Sequence, residues 1–287
     1  MKKIGITAKH KNVERFAPAF RRIYEYLKKT NKDIYVEKHV ADIIKLKKYK
    51  EFRRGKTAVD LLLVLGGDGT ILSVVKTMEK FNTKIFGINF GNLGFMSEIP
   101  PFEISKTLAK IFSGNYTIDK RLMLSVEIIR NGKCIKKFHA LNEAVISQGS
   151  LARLINLRTT VNNKKLTTYH ADGLIIATPT GSTAYSLSAG GPIVYPTLST
   201  IIITPICPHS FTQKPIVIPA EKKVEVIVES KKKQVNLSID GQESLALEHD
   251  DIIRIKRDGE AHFVRLPTES FFKTLREKLD WGRKLEK

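Results

Sequence analysis

The sequence predicts an α/β plus β-rich protein: a doubly wound α/β domain, then an antiparallel β-sandwich-like domain, then a C-terminal helix packing back on the first domain. Three observations predict it. Continuous apolar runs alternate with helical patterns up to about residue 115. From Tyr116 onward many short segments alternate apolar and polar residues, with Asn131-Gly132, Asp240-Gly241 and Asp258-Gly259 as turn signals between them. Residues 270–285 then return to a helical pattern through Phe271, Phe272, Leu275 and Leu279. The boundaries that follow are 1–118 with 268–287 for the α/β domain and 119–267 for the β-rich domain.

Each element has its own reason. Residues 3–8 form a short apolar strand, and Phe16, Phe20, Ile23, Tyr24 and Leu27 recur at near-helical spacing behind it. Residues 34–36 give a second strand. The basic run 45–56 reads as a solvated loop. The uninterrupted run 60–65 suits a strand buried on both faces of a parallel sheet, with a helix expected over 70–80. Residues 84–88 make another strand, 89–95 a glycine-bearing loop, and 105–112 a helix introduced by Pro100-Pro101. In the β-rich part, strands are expected at 122–130, 134–146, 151–160, 174–177, 201–203, 224–229, 234–239 and 251–256.

Composition limits the possible functions. The chain has 287 residues, 42% of them hydrophobic and 27% charged, enough for packed cores and against general disorder. Its start lacks a signal-peptide apolar segment and no run is long enough to cross a membrane, so a cytoplasmic protein is expected. Cys134 and Cys207 stand alone, without zinc-ligand spacing. The net charge of +20 attracts polyanions of any kind, nucleotides and nucleic acid alike. Aromatic residues are not interleaved with the basic ones, which argues against a nucleic-acid stacking surface.

The most informative motif is Gly66-Gly67-Asp68-Gly69-Thr70, directly behind the apolar run. Its glycines let backbone N–H groups approach phosphate, and the following helix directs its positive end there. A loop built only for phosphate has no use for Asp68, whose charge repels that ligand. The carboxylate therefore points to a metal ion or a proton, and the motif to phosphoryl transfer. No GxxxxGK[ST] or protein-kinase signature is present, which excludes those nucleotide sites at the level of motif.

Three clusters accompany the turn. Asn142-Glu143 can read a ribose and a base edge, although alone it is also an ordinary polar strand exit. The stretch 169–192 crowds Gly, Ser and Thr around His170, Asp172, Thr180, Thr183, Ala184, Tyr185 and Ser188, with the Tyr185 ring offering a stacking surface. A loop leading into a helix capped by Ser182 accounts for about half of these residues. The loop 89–95 follows a parallel strand at the edge where such sheets bind ligands; its plainer reading is a tight connection with Phe95 buried. Asp240-Gly241-Gln242 reads as a structural hairpin turn, and His209 has no local partner in sequence.

Taken together, these motifs resemble the NAD kinase family. GGDGT alone is shared with diacylglycerol and sphingosine kinases and with phosphofructokinase turns. The order of Gly91–Phe95, Asn142-Glu143, Asp172-Gly173, Thr178–Tyr185, Ser188–Pro192 and Asp240-Gly241-Gln242 narrows it, over nearly the whole chain. The resemblance implies transfer of the γ-phosphoryl group of ATP, or of polyphosphate, to the adenosine 2′-hydroxyl of NAD, with Mg²⁺ or another divalent ion. It also implies ligand binding between the two domains and assembly as a homodimer or homotetramer, with no membrane or nucleic-acid partner. The rivals are a lipid kinase sharing GGDGT and a non-enzymatic basic nucleic-acid-binding protein.

Residue by residue, the resemblance makes Asp68 the group that takes the hydroxyl proton. It sets Gly66, Gly67, Gly69 and Thr70 beside the phosphates and Asn142 and Glu143 on ribose and adenine. Thr183 and Tyr185 fall on the adenine side and Asp172 with Ala184 at the nicotinamide end. Gly69, Phe95, Thr180 and Ser188 fall at further NAD-pocket positions. His170 stands where many relatives carry Arg, so an ionic contact there is not implied. Loose phosphoryl transfer asks mainly for alignment and charge neutralisation, and a carboxylate base need accept its proton only late.

Overall fold

Strand β4 (Leu61–Leu65) is buried at every residue, as its unbroken Leu/Val run requires in the middle of a parallel sheet. The computed structural model describes residues 1–10, 14–77, 82–89, 94–99, 103–149, 154–230, 234–267 and 270–282. Parts of the expected helix 70–80, loop 89–95, Pro100-Pro101 start, strand 151–160 and tail 270–285 lie outside those residues. The chain divides into two compact units, Met1–Lys120 with Ala261–Lys287, and Arg121–Glu260.

In the first unit β1 (Lys3–Ala8) pairs in parallel with β4 on one side and with β2 (Asp33–Glu37) on the other. Strand β3 (Lys50–Phe52) extends the sheet beyond β2, and β5 (Lys84–Ile88) lies beside β4, again all parallel. Helices α1 (Ala17–Lys28), α2 (Lys38–Ile43) and α4 (Ile104–Phe112) share one core with Ile4, Ile6, Leu61, Leu63, Leu65, Phe86 and Ile88. Pro18 in the first turn of α1 fixes a helical start, and Phe20, Ile23 and Leu27 form its buried stripe. Helix α3 (Asp68–Val75) takes the opposite face. There a Cβ on Gly87 would meet the Ile71 side chain at 2.7 Å, so the helix lies close over β5. With helices on both faces, the doubly wound expectation holds.

Two details of this unit differ from the sequence reading. The basic run 45–56 is not loop throughout, because Lys50–Phe52 pairs with β2 and Phe52 is buried under the sheet edge. Helix α3 begins at Asp68, two residues early, since Gly67 caps it and accepts the Thr70 N–H. The C-terminal helix α6 (Phe271–Leu279) belongs to this unit, with the Phe271 ring 6.2 Å from that of Phe95.

The second unit is a sandwich of two sheets. One runs β11 (Lys164–Ala171), β10 (Ile155–Val161), β15 (Val224–Val228), β18 (Ile252–Arg265), β7 (Thr117–Arg130) and β8 (Lys133–Ala140). The other runs β14 (Ile216–Pro219), β13 (Thr200–Ile206), β12 (Gly173–Ala177), β9 (Glu143–Gln148), β16 (Val235–Ile239) and β17 (Glu243–Leu247). Alternate residues from both sheets, among them Leu124, Ile146, Leu157, Leu174, Val226 and Leu237, form one apolar core between them.

Here too the sequence reading needs correction. The expected strand 134–146 is two strands, broken at Leu141-Asn142 where the backbone N–H groups turn to the Asp240 carboxylate. Strands β11, β14 and β17 went unread because polar residues or a Pro end dilute their alternation. Asp258-Gly259 is no turn between strands; it lies within β18, where Gly259 has φ +73°.

Candidate active site

The Gly66–Thr70 turn sits at the C-terminal end of β4 in the first unit, where parallel sheets bind their ligands. Gly66 has φ +155°, and a side chain on it would strike Thr70, so the sharp exit from β4 needs glycine. Gly67 and Gly69 have open space where a Cβ would stand. With Ala8, Lys9, His10, Thr70 and Ser73 they line a cavity of about 260 Å³ at the N-terminus of α3. This is a cation-bordered pocket at a positive helix end, suited to phosphate.

Asp68 is the first residue of α3, yet its carboxylate turns to the segment after the glycine-bearing loop. Oδ2 accepts the Phe95 N–H at 2.8 Å and the Lys278 ammonium at 3.3 Å. Oδ1 accepts the Met96 N–H at 3.1 Å and the Ser97 hydroxyl at 3.4 Å. Gly94 makes this approach possible, because a Cβ there would fall inside van der Waals contact with Oδ1. Lys278 also stands 4.7 Å above the half-buried Phe95 ring. Two N–H groups, a hydroxyl and an ammonium thus hold a single carboxylate oriented. Ser97 and Lys278 escape sequence reading, since a Ser in a short strand and a Lys on an amphipathic helix carry no signal. Residues 90–93 of the expected glycine loop lie outside the described residues.

In the second unit the Asp240 carboxylate receives three consecutive backbone N–H groups, from Leu141 at 2.9 Å, Asn142 at 2.8 Å and Glu143 at 3.0 Å. The residue read as a plain turn therefore positions the Asn142-Glu143 pair. Thr178 fastens the next loop to the same place, its N–H going to the Asn142 carbonyl at 2.8 Å and its hydroxyl to the Leu141 carbonyl at 2.6 Å. Gly181 is required there, because a Cβ would run into the Asn142 backbone.

This buried corner is incompletely satisfied. Asn142 Oδ1 and Glu143 Oε2 are buried and have no hydrogen-bond partner among the described residues. Unsatisfied buried acceptors are rare and costly, and a ligand that donates to them relieves the cost. Burial, and secondarily the charge of Asp240, push the Glu143 carboxyl up to about 8. A carboxyl neutral near pH 7 can donate as well as accept, which suits a nucleoside presenting both kinds of group.

The remaining residues border the same loop or lie further off. Thr180 is buried within 3.4 Å of Arg121, and the Thr183 hydroxyl donates to the Thr180 carbonyl at 3.2 Å. Ser182 is not a helix cap; its hydroxyl donates to Pro179 O and accepts the Val194 N–H, clamping the loop. Ala184 precedes the single turn α5 (Tyr185–Ser188), on which the Tyr185 ring is exposed. Asp172 precedes β12 at the end opposite Thr178, about 20 Å away across the five-residue strand, and accepts from Gln148 at 3.0 Å. The structure thus does not bring Asp172 to Asn142. His170 contacts Asn156 at 2.5 Å and its ring lies 5.8 Å from that of His209, the neighbour that sequence did not supply.

Comparison with known proteins follows the same division. Residues 4–116 match the ATP-NAD kinase N-terminal domain and residues 141–266 the ATP-NAD kinase C-terminal domain. An NAD kinase of Thermoanaerobacter sp. (strain X514) is 39% identical over 284 residues, 97% of this chain and 99% of that protein. An NAD kinase of Geotalea daltonii is 40% identical over 99% of this chain and all of that protein. The crystal structure of yeast NADH kinase complexed with NADH superposes with a TM-score of 0.92 at 27% identity, covering all of this chain and 90% of that one. An NAD kinase from Archaeoglobus fulgidus in complex with ATP gives 0.72 at 26% identity, over 95% and 96%. With one family model matched in each unit and relatives aligned over nearly the whole chain, the chain belongs to the NAD kinase family.

Proposed function

We propose that this protein transfers the γ-phosphoryl group of ATP, or the terminal group of polyphosphate, to the 2′-hydroxyl of the NAD adenosine, giving NADP. The observation that carries this reading is Asp68, which stands between the cavity-lining Gly67 and Gly69 and whose carboxylate is held by Phe95, Met96, Ser97 and Lys278. Its geometry supports the role of proton acceptor for the attacking hydroxyl. The two long contacts, from Ser97 and Lys278, are the ones a substrate hydroxyl displaces most readily.

The other assignments follow from chemistry. Gly66, Gly67, Gly69 and Thr70 border the donor phosphates, with Lys9 and the start of α3 adding positive potential. Asn142 and Glu143 hold the adenosine, their orphaned acceptors facing its donors. Thr180, Thr183 and the Tyr185 ring flank the adenine. Asp172, His170, Ala184 and Ser188 in the second unit, and Phe95 in the first, are assigned to contacts with the rest of NAD, with Asp172 towards the nicotinamide.

A divalent ion accompanies the reaction and neutralises phosphate charge. Asp68 does not suit it as a ligand, because an ammonium and three other donors already surround that carboxylate. Mg²⁺ is more naturally carried by the donor's own phosphates.

A homodimer or homotetramer is supported by exposed Tyr195, Leu198 and Val217 on and beside β13 and β14. A cytoplasmic site is proposed from the sequence; among the described residues no helix is long and apolar enough to cross a membrane. Nucleotides are the partners proposed, without nucleic acid or membrane.

The test combines purified protein, Mg²⁺, ATP or polyphosphate, and NAD or NADH. Product is read with an NADP-specific dehydrogenase. Formation of NADP from NAD is expected, and absence of phosphorylated product from every pairing would overturn the proposal.

A further inference from the structure

Beside the phosphate cavity three side chains converge that the phosphoryl transfer does not use. His10 lies just beyond the end of β1, Glu37 closes β2, and His39 stands in the first turn of α2. One ligand-type atom from each lies within 4.8 Å of the other two. His39 Nδ1 is 3.5 Å from Glu37 Oε2, and His10 Nε2 is 3.9 Å from Glu37 Oε1. Ligand atoms of a tetrahedral zinc site, each about 2.0–2.2 Å from the ion, stand roughly 3.3–3.6 Å apart. The Glu37–His39 pair reaches that spacing through Oε2, and ligation through Oε1 asks for a further side-chain adjustment within the 4.8 Å cluster. His10, the exposed member, needs only a small side-chain adjustment to reach it.

The plainer reading is an ordinary ion-pair cluster, since the Arg54 guanidinium engages Glu37 with Nε 3.0 Å from Oε1 and Nη2 3.2 Å from Oε2. Two observations go beyond it. Both ring nitrogens of His39 are buried, and among the described residues their contacts are limited to the 3.5 Å approach of Nδ1 to Glu37 Oε2 and the Ala8 backbone, so the imidazole is poorly satisfied where it stands. And an ionised carboxylate offers about four lone-pair positions. Arg54 Nη2 and the Thr7 hydroxyl both donate to Oε2, whereas Arg54 Nε lies 3.0 Å from Oε1 without an aligned hydrogen bond, which leaves positions on Oε1, the oxygen nearest His10. Arg54 and Thr7 then act as the outer partners that orient a ligating carboxylate.

We infer that His10, Glu37 and His39 form a binding site for a borderline transition-metal dication of the Zn²⁺ class. Two imidazoles with one carboxylate are a ligand set that zinc favours and Mg²⁺ does not. His10 lines the phosphate cavity as well. An ion on these three ligands therefore adjoins that cavity and retains capacity for an oxygen ligand from an anion within it.

The test is calorimetric titration of the full chain with Zn²⁺ in excess Mg²⁺, so that oxygen-ligand sites are filled. The protein carries Cys134→Ser and Cys207→Ser, because both thiols are exposed and a thiolate is a zinc ligand that would confuse the titration. One equivalent of Zn²⁺ is expected to bind saturably. His10→Ala and His39→Ala should each weaken it by roughly 100-fold or more, and Thr7→Val by the 10–100-fold typical of an outer partner. His10 is exposed, so its replacement leaves the fold intact. Absence of saturable binding, or an affinity unchanged in His10→Ala, overturns the site.

Discussion

The Asp240 carboxylate accepts the backbone N–H of Glu143 at 3.0 Å, while its charge helps raise the side chain of that same residue. One interaction fixes where Glu143 stands and the other biases its proton. Burial is the larger cause of the rise and the Asp240 charge the smaller, and together they keep the carboxyl mostly protonated until about pH 8.

Stability should therefore depend on pH through Glu143. Its value is raised from 4.5 unfolded to about 8 folded, so the folded chain binds the extra proton between these limits. The contribution is fully present below 4.5 and is lost as pH rises through about 8, with a slope of at most about 1.4 kcal/mol per pH unit. Denaturant unfolding across that window should show this fall, and Glu143→Gln should flatten it. An unchanged slope in the variant assigns the effect elsewhere.

Asp240→Asn tests the positioning role. One amide oxygen cannot accept all three N–H groups that the two carboxylate oxygens now take, so a buried donor is left unmet. The expected loss is about 1–3 kcal/mol of folding stability. KM for NAD should rise more than kcat falls, because the Asn142-Glu143 backbone shifts while Asp68 is untouched. Normal stability together with normal KM would reduce Asp240 to the plain turn residue that sequence suggested.

Much of the fold was legible, for identifiable reasons. The Leu61–Leu65 run, the Phe20/Ile23/Leu27 stripe and the alternation in Val224–Val228 each follow from one dominant pattern. Strand β11 was not legible, since Lys164–Thr168 is polar and its pairing with β10 is decided by tertiary context. The glycine turn and Asn142-Glu143 stood out because their composition is unusual. Lys278 did not, because its contact with Asp68 spans 210 residues of chain and no local pattern encodes it.

Gly94 offers a steric test of the site. Its backbone conformation is open to any residue, so Ala is not strained there; the difficulty is a Cβ that meets the Asp68 carboxylate and, at 2.5 Å, the Ser97 hydroxyl. Gly94→Ala should preserve the secondary structure seen by circular dichroism and displace Asp68 by an ångström or so. Misplacement on that scale costs about 10²-fold in kcat. An unaltered kcat would show that the orientation of Asp68 does not limit transfer.

Lys278→Met separates charge from packing at the same carboxylate. Methionine keeps an apolar stem over Phe95 but removes the ammonium 3.3 Å from Asp68. The pair is partly exposed, at 37% and 21%, so its loss should change stability by less than about 1 kcal/mol. Activity should respond more strongly, because negative charge approaching on the phosphoryl group would then meet Asp68 with no cation beside it. A fall in kcat of roughly tenfold or more is expected, smaller than the 10²–10⁴-fold loss expected for Asp68→Asn, which removes the base itself. Lys278→Arg should recover part of that fall if charge is what matters. Equal activity in Lys278→Met and the parent would make the ammonium a surface contact, and equal loss in Met and Arg variants would point to the packing on Phe95 instead.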